Sequence, residues 1–228
     1  MEPMSYACED SAMATPLTPA QAWHELVAGN ERFVAGQPEH PNQDLSRRAH
    51  TAATQQEPFA IVFGCMDSRV AAEIVFDRGL GDLAVVRTAG HVVDGGVLGS
   101  LEFGVAVLGI PLVVVLGHDN CGAIAAALSA HSTGEMPGGY LRDIVERVTS
   151  SLVTARQPGQ LTGDVDANEL MEEHVRHTAH LIAERSALIN ERIQSGRCAI
   201  IGGGYQLAEG RVATLVELTA APTSAAAS

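Results

Sequence analysis

Residues 59–69 read Phe59-Ala60-Ile61-Val62-Phe63-Gly64-Cys65-Met66-Asp67-Ser68-Arg69. The opening run is continuously apolar and does not alternate. That is the pattern of a strand covered on both faces, as in a parallel sheet. Leu83 to Val86, Leu112 to Leu116 and Ala199 to Ile201 repeat it. Helix-like stretches lie between these runs: Val97 to Leu108, Ala123 to Leu128, Tyr140 to Val153, and Asp166 to Ile193. Strands that alternate with helices predict an α/β fold with a mainly parallel central sheet flanked by helices. Val212 to Leu218 alternates in polarity and is expected to add an edge strand.

Ahead of the first strand, Thr18-Pro19-Ala20-Gln21 reads as a helix start with Thr18 as N-cap and Gln21 closing a capping box. Trp23, Leu26, Val27 and Phe33 form the apolar stripe of that helix to about Val34, and a second helix is expected from Leu45 to about Ala53. Residues 1–16 and 220–228 read as flexible tails, leaving one domain over residues 17–219.

Composition narrows the function classes. A chain of 228 residues with 46% hydrophobic and 18% charged residues can bury one sizeable core. Its net charge of -13 disfavours nucleic-acid binding. The absence of lysine excludes a P-loop lysine and a Schiff-base lysine. The most apolar run, Val105 to Leu116, is too short to span a membrane and contains Gly109 and Pro111. Residues 1–16 lack the features of a signal peptide, so a cytoplasmic location is expected. In that reducing setting the four cysteines, Cys8, Cys65, Cys121 and Cys198, are expected to be ligands or buried thiols.

Two segments carry chemistry. Cys65-Met66-Asp67-Ser68-Arg69 follows the first apolar strand, and His118-Asp119-Asn120-Cys121 follows a later one. Ligands of open α/β sheets collect beyond the carboxyl ends of the strands, which places both segments at one end of the sheet. Two thiolates and an imidazole suit zinc, and three protein ligands leave a fourth position for water. Asp67 is placed to reach the metal or its water, and Arg69 to hold Asp67 in a bidentate ion pair. Were that pair to open, Asp67 would be a fourth ligand that closes the site. The helix starting near Ala123 would direct the positive end of its dipole at Cys121, with Gly122 allowing close backbone approach.

Cys-x-Asp-x-Arg followed by His-x-x-Cys, each at a strand end, resembles the β-class carbonic anhydrases. Val86-Arg87-Thr88-Ala89-Gly90-His91 resembles the Val-Arg-Asn-Ala-like turn of that family, with Thr88 in place of Asn, and Gly203-Gly204-Tyr205 with Gly210 resembles its late glycine-tyrosine segment. The resemblance covers about residues 20 to 218 and implies four parallel strands plus an edge strand. It also implies an N-terminal helix packing on a dimer partner, and a homodimer or dimer of dimers. The implied function is zinc-dependent reversible hydration of carbon dioxide to bicarbonate and a proton. One Zn2+ per chain would sit on Cys65, His118 and Cys121, Asp67 and Arg69 would be catalytic, and Val70 and Gly122 would lie beside the substrate. Some members bind an inhibitory bicarbonate with Trp, Arg and Tyr. Arg87 and Tyr205 match two of these, but Val62 replaces the Trp, so this regulation is not expected here.

Two other functions fit the same ligands: hydrolysis of carbonyl sulfide or carbon disulfide, and a non-enzymatic zinc-binding regulatory module. Cys198 reads as a core residue and Cys8 as part of the tail. His174, His177 and His180 read as a solvated helix face opposite Met171, Val175 and Ile182, and His91 as a structural residue near the cleft. Gly202-Gly203-Gly204 lacks dinucleotide-binding spacing and reads as a close backbone approach.

Overall fold

The computed structural model of the chain describes residues 17–154 and 166–220. The expected tails, apart from Ala220, and Cys8 lie outside the described residues. Five strands form one sheet in the order β2-β1-β3-β4-β5. They are β1 (Ala60–Cys65), β2 (Leu83–Thr88), β3 (Leu112–His118), β4 (Ala199–Gln206) and β5 (Arg211–Leu218). The first four are parallel, and β5 pairs antiparallel with β4 at the edge. The apolar runs thus become parallel strands and the alternating run the edge strand, as the sequence predicts.

The continuous apolar runs follow from the period-2 geometry of a strand between two layers. Ile61, Phe63, Val113, Val115 and Ile200 pack on one face. Ala60, Val62, Leu112, Val114, Leu116 and Ile201 pack on the other. The second face is covered by α1 (Pro19–Val34) and α3 (Ala72–Val75), with Phe76 beside them. α2 (Leu45–Ala53) has no buried residue. The first face is covered by α4 (Gly95–Glu102), α5 (Gly122–Thr133), α6 (Leu141–Thr154), α7 (Ala167–Arg185) and α8 (Ala187–Gln194). A π-helical turn, Phe103–Val107, extends α4.

α1 starts with the expected Thr18–Gln21 capping box. Ala22 and Leu26 are fully buried on the chain's own sheet. Buried Asn30 donates to the carbonyls of Val75 (3.0 Å) and Gly210 (2.8 Å) and accepts from Val212 N–H (2.9 Å). Any contact of this helix with a partner copy therefore has to use its remaining faces.

The stretch expected as one helix from Asp166 to Ile193 is two. Ser186 has an extended backbone (φ -106°, ψ 102°), accepts from Ile189 N–H to cap α8, and donates to Glu102 at 2.6 Å. A serine with both partners in place favours a cap over a helix interior.

The histidines of α7 correct the sequence reading. His174 is buried, at 2% exposure, in one stripe with Leu170, Met171, Val175, Thr178 and Ile182; only His180 is exposed. Residue 174 lies three after Met171 and four before Thr178, so helical geometry places it on the core side. Its polarity is tolerated because both ring nitrogens have partners, Ser151 and the Gly90 carbonyl. The glycines of β3 and β4 let α7 lie close, as expected for Gly202–Gly204. A Cβ on Gly117 would come within 2.4 Å of Val175, and one on Gly202 within 2.7 Å of the same side chain. Among the described residues no helix is long and apolar enough to cross a membrane.

Candidate metal centre

The chain runs from β1 to β2 on one side of the sheet and then to β3 on the other side of β1. The crevice between the carboxyl ends of β1 and β3 is therefore the topological switch point, where α/β sheets place their ligands. Cys65 is the last residue of β1 and His118 the last of β3. Cys121 follows as the N-cap of α5. One ligand atom from each lies within 4.8 Å of the others, all three residues are buried, and the two sulfurs are 3.9 Å apart. A tetrahedral ion with Zn–S bonds of about 2.3 Å requires a similar sulfur separation.

The ring of His118 is oriented for such a role. Its Nδ1 lies 2.7 Å from the Asp119 carbonyl, which can only accept, so Nδ1 carries the proton and Nε2 presents a lone pair. That Nε2 is buried and has no hydrogen-bond partner among the described residues. A buried acceptor left without a partner costs about 1–3 kcal/mol, and a metal ion would satisfy it.

The thiols are prepared as well. The Cys121 thiol beside it, against the opposing effect of burial, pulls the Cys65 thiol well below the ordinary thiol range, with His118 and the N–H groups of Asp67 and Gly90 assisting. Cys121 is pushed up in turn by the Cys65 thiolate, although the first N–H groups of α5, at Ala123 and Ile124, act in the opposite direction. Burial is the largest influence on His118 and opposes a proton there, but Cys65, the Asp119 carbonyl and the Asp67 carboxylate together raise the ring. Residues that share protons in this way release them to a divalent cation, the donor chemistry of a Cys2His metal site.

Asp67 and Arg69 meet as the spacing predicts. Arg69 donates through Nε to Asp67 Oδ1 (2.9 Å), through its terminal nitrogen to Oδ2 (2.7 Å), and through its backbone N–H to Oδ1 (2.9 Å). These bonds hold the Asp67 carboxyl well below the usual carboxylate range. Asp67 Oδ2 lies 3.9 Å from His118 Nε2. Arg69 also donates to the Asn120 carbonyl (3.2 Å) and so joins the two loops that carry the ligands.

Sequence reasoning left two supports unassigned. Arg87, beyond its likeness to a family turn, donates through Nε to the Cys65 carbonyl (2.8 Å) and through its terminal nitrogen to that of Asp67. Asp119 accepts from Leu207 N–H (2.8 Å) and ties the β3 loop to the end of β4. The signal for Arg87 was its place at the end of a strand parallel to β1, where Gly64 pairs with it.

The two residues expected beside a substrate differ. Val70, at 3% exposure, packs with the core on the α1 side. Gly122, the first residue of α5, is exposed, and a Cβ there would meet nothing within 4 Å. Close backbone approach therefore does not explain this glycine. Val62 is buried in β1 and Tyr205 at the end of β4.

A family model described as carbonic anhydrase matches residues 60–212. A protein named carbonic anhydrase 2 from Mycobacterium tuberculosis is 55% identical over 193 residues, covering 85% of this chain and 91% of its own length. A carbonic anhydrase from Mycolicibacterium smegmatis is 54% identical over 194 residues, 85% of this chain and 92% of its own. The fold is similar to that of the Coccomyxa β-carbonic anhydrase solved with acetazolamide, with a TM-score of 0.67 at 24% identity over 86% of this chain and 87% of that one. A buried Cys2His cluster at the switch point, an arginine-held carboxylate beside it and these likenesses converge: the chain belongs to the β-class carbonic anhydrase family.

Proposed function

We propose that this chain is a zinc enzyme that interconverts carbon dioxide and bicarbonate. The observation that carries the proposal is the pairing of a buried Cys65–His118–Cys121 cluster with a carboxylate that Arg69 holds beside it. Family membership supports the same reaction. Cys65, His118 and Cys121 would hold the ion. Zinc bound there supplies Lewis acidity, which makes a nucleophile available from water near neutral pH.

The chain's own residues do the rest. Asp67, kept ionised by Arg69, accepts a hydrogen bond from the nucleophile's remaining proton and fixes its orientation. Arg69 would keep the carboxylate from becoming a fourth ligand, and opening of the pair would close the site. Asn120 contributes its carbonyl as a second anchor for Arg69. Val70 and Gly122 would lie beside the substrate in this reading, with open space at Gly122 as support for it.

Self-association into a homodimer or a dimer of dimers belongs to the same reading. It is supported by the tetrameric β-carbonic anhydrases of Sordaria macrospora, whose fold this chain shares with a TM-score of 0.65 at 20% identity, over 86% of this chain and 98% of that one. A single domain over residues 17–219 and a cytoplasmic location complete the reading.

Stopped-flow measurement of carbon dioxide hydration, with carbonyl sulfide and carbon disulfide hydrolysis run in parallel, tests the proposal. Zinc-dependent hydration that exceeds turnover of either sulfur gas is the expected result. Faster turnover of a sulfur gas would reassign the substrate, and no turnover of any of the three by zinc-loaded protein would make the chain a binding module.

A further inference from the structure

Behind the ligand cluster, on the buried side, lies a histidine that is not part of it. His174 on α7 uses both ring nitrogens: Nε2 lies 2.9 Å from the Gly90 carbonyl and Nδ1 2.7 Å from Ser151 Oγ. A carbonyl only accepts, so Nε2 carries the proton and Nδ1 accepts from the serine hydroxyl. Burial, which pulls the ring down to about 4, agrees with a neutral imidazole. The connection continues through a single residue, because the N–H of the same Gly90 points at Cys65 Sγ, 3.3 Å away.

The turn that aims this N–H does not form on local preference alone. Gly90 and His91 are consecutive left-handed residues, at φ 62° and 41°. For a non-glycine residue that conformation costs roughly 1–2 kcal/mol. A Cβ on Gly90 would also lie 2.6 Å from that of Ala123, so glycine is required there. Contacts from outside the turn hold it. His174 fixes its carbonyl, and the His91 ring lies against the His174 ring with centroids 4.4 Å apart. Thr88 Oγ1 donates to the Val92 carbonyl at 3.0 Å and closes the turn from the other side. His174 can reach Gly90 because Gly117 and Gly202 let α7 settle onto the sheet.

We propose that His174 is a positioning residue for the metal centre: by holding the Gly90 turn it keeps a backbone N–H on the Cys65 sulfur and so sets the donor strength of that ligand. This rests on reading Cys65, His118 and Cys121 as the metal site. A hydrogen bond to a ligating thiolate draws electron density from sulfur, and losing such outer support typically weakens metal binding about 10- to 100-fold.

Three substitutions separate this role from packing. H174F keeps the ring volume and loses both polar atoms. H174N places its amide near the Nδ1 position, within reach of Ser151 but short of Gly90. H174Q carries an amide N–H to about the Nε2 position and retains the Gly90 contact. Each protein, prepared with cobalt(II) as the probe, is compared with wild type by its sulfur-to-cobalt charge-transfer band and by its cobalt affinity in competition with a chelator.

The expected result is a band shifted to lower energy and affinity reduced about 10- to 100-fold in H174F and H174N. H174Q should retain the wild-type band, with affinity within about threefold of wild type. If H174F does not fold, the contrast between H174N and H174Q carries the test. An unshifted band in H174N, or equal shifts in H174N and H174Q, overturns the proposal. Wild-type protein that shows no thiolate-to-cobalt band at all instead overturns the metal-site reading on which it rests.

Discussion

The two loops that build the candidate centre are held by different forces. The loop after β1, Cys65 to Arg69, is fixed mainly by guanidinium groups: Arg69 grips the Asp67 carboxylate, and Arg87 grips the carbonyls of Cys65 and Asp67. Arg69 is about half exposed, at 52% of its side chain, so water and salt compete for its bonds. The loop after β3, His118 to Cys121, is fixed by backbone. His118 is tied to the Asp119 carbonyl, Asp119 to the Leu207 N–H, Asn120 turns the chain at φ 51°, and Cys121 begins a helix. The difference assigns tasks. On the proposed reading the backbone-held loop would supply two of the three ligands, whereas the charge-held loop would supply the third together with the carboxylate that has to stay near the ion without binding it.

Breaking the charged loop should have the largest effect. Asp67→Asn should retain the metal and lower hydration roughly 100-fold, because an amide is a poorer acceptor for the nucleophile's proton. Arg69→Ala should lower it roughly 10- to 100-fold by releasing Asp67 towards the ion. Stopped-flow rates with parallel metal analysis would check both, and near-wild-type rates in the two variants would remove the pair from the mechanism.

The buried support behind that loop should make stability depend on pH. Burial lowers the folded-state pKa of His174 to about 4 from an ordinary 6.5, with the His177 charge adding to the shift and the Gly90 carbonyl opposing it. Between those values the unfolded chain binds the proton and the folded chain does not, so the folded state loses stability as pH falls through 6.5 towards 4. Denaturant unfolding should show about 2 kcal/mol lost to this residue between pH 7 and pH 5, and a shallower pH dependence in H174Q. The same slope in both proteins would show that His174 is not buried neutral.

The backbone-held loop should answer to conformation and not to charge. Asn120→Gly should leave stability and rate close to wild type, since glycine accepts a positive φ. Asn120→Val should cost roughly 1–2 kcal/mol in thermal or denaturant unfolding, because a β-branched residue resists the left-handed region. Equal behaviour of the two variants would mean that the turn is not what holds this loop.

Much of this was legible in the sequence because it depends on local pattern. Continuous apolar runs mark strands covered on both faces, the setting of a parallel sheet. Two motifs at strand ends meet because sheet topology leaves them no other place. The supports were less legible because they cross the chain. Arg87 acts on Cys65 from the neighbouring strand, and His174 acts on Gly90 across 84 residues. The grouping of three histidines on α7 suggested a polar face, yet the stripe of Leu170, Met171, Val175 and Thr178 already contained position 174. Ser186 was hidden for a related reason, since only its contact with Glu102 shows why one helix becomes two.

Elemental analysis of purified protein would show whether Cys65, His118 and Cys121 together hold one zinc ion. About one zinc per chain is expected in the wild type, with loss of the metal in Cys65→Ala, His118→Ala and Cys121→Ala alike. Full zinc content in all three variants would contradict the account.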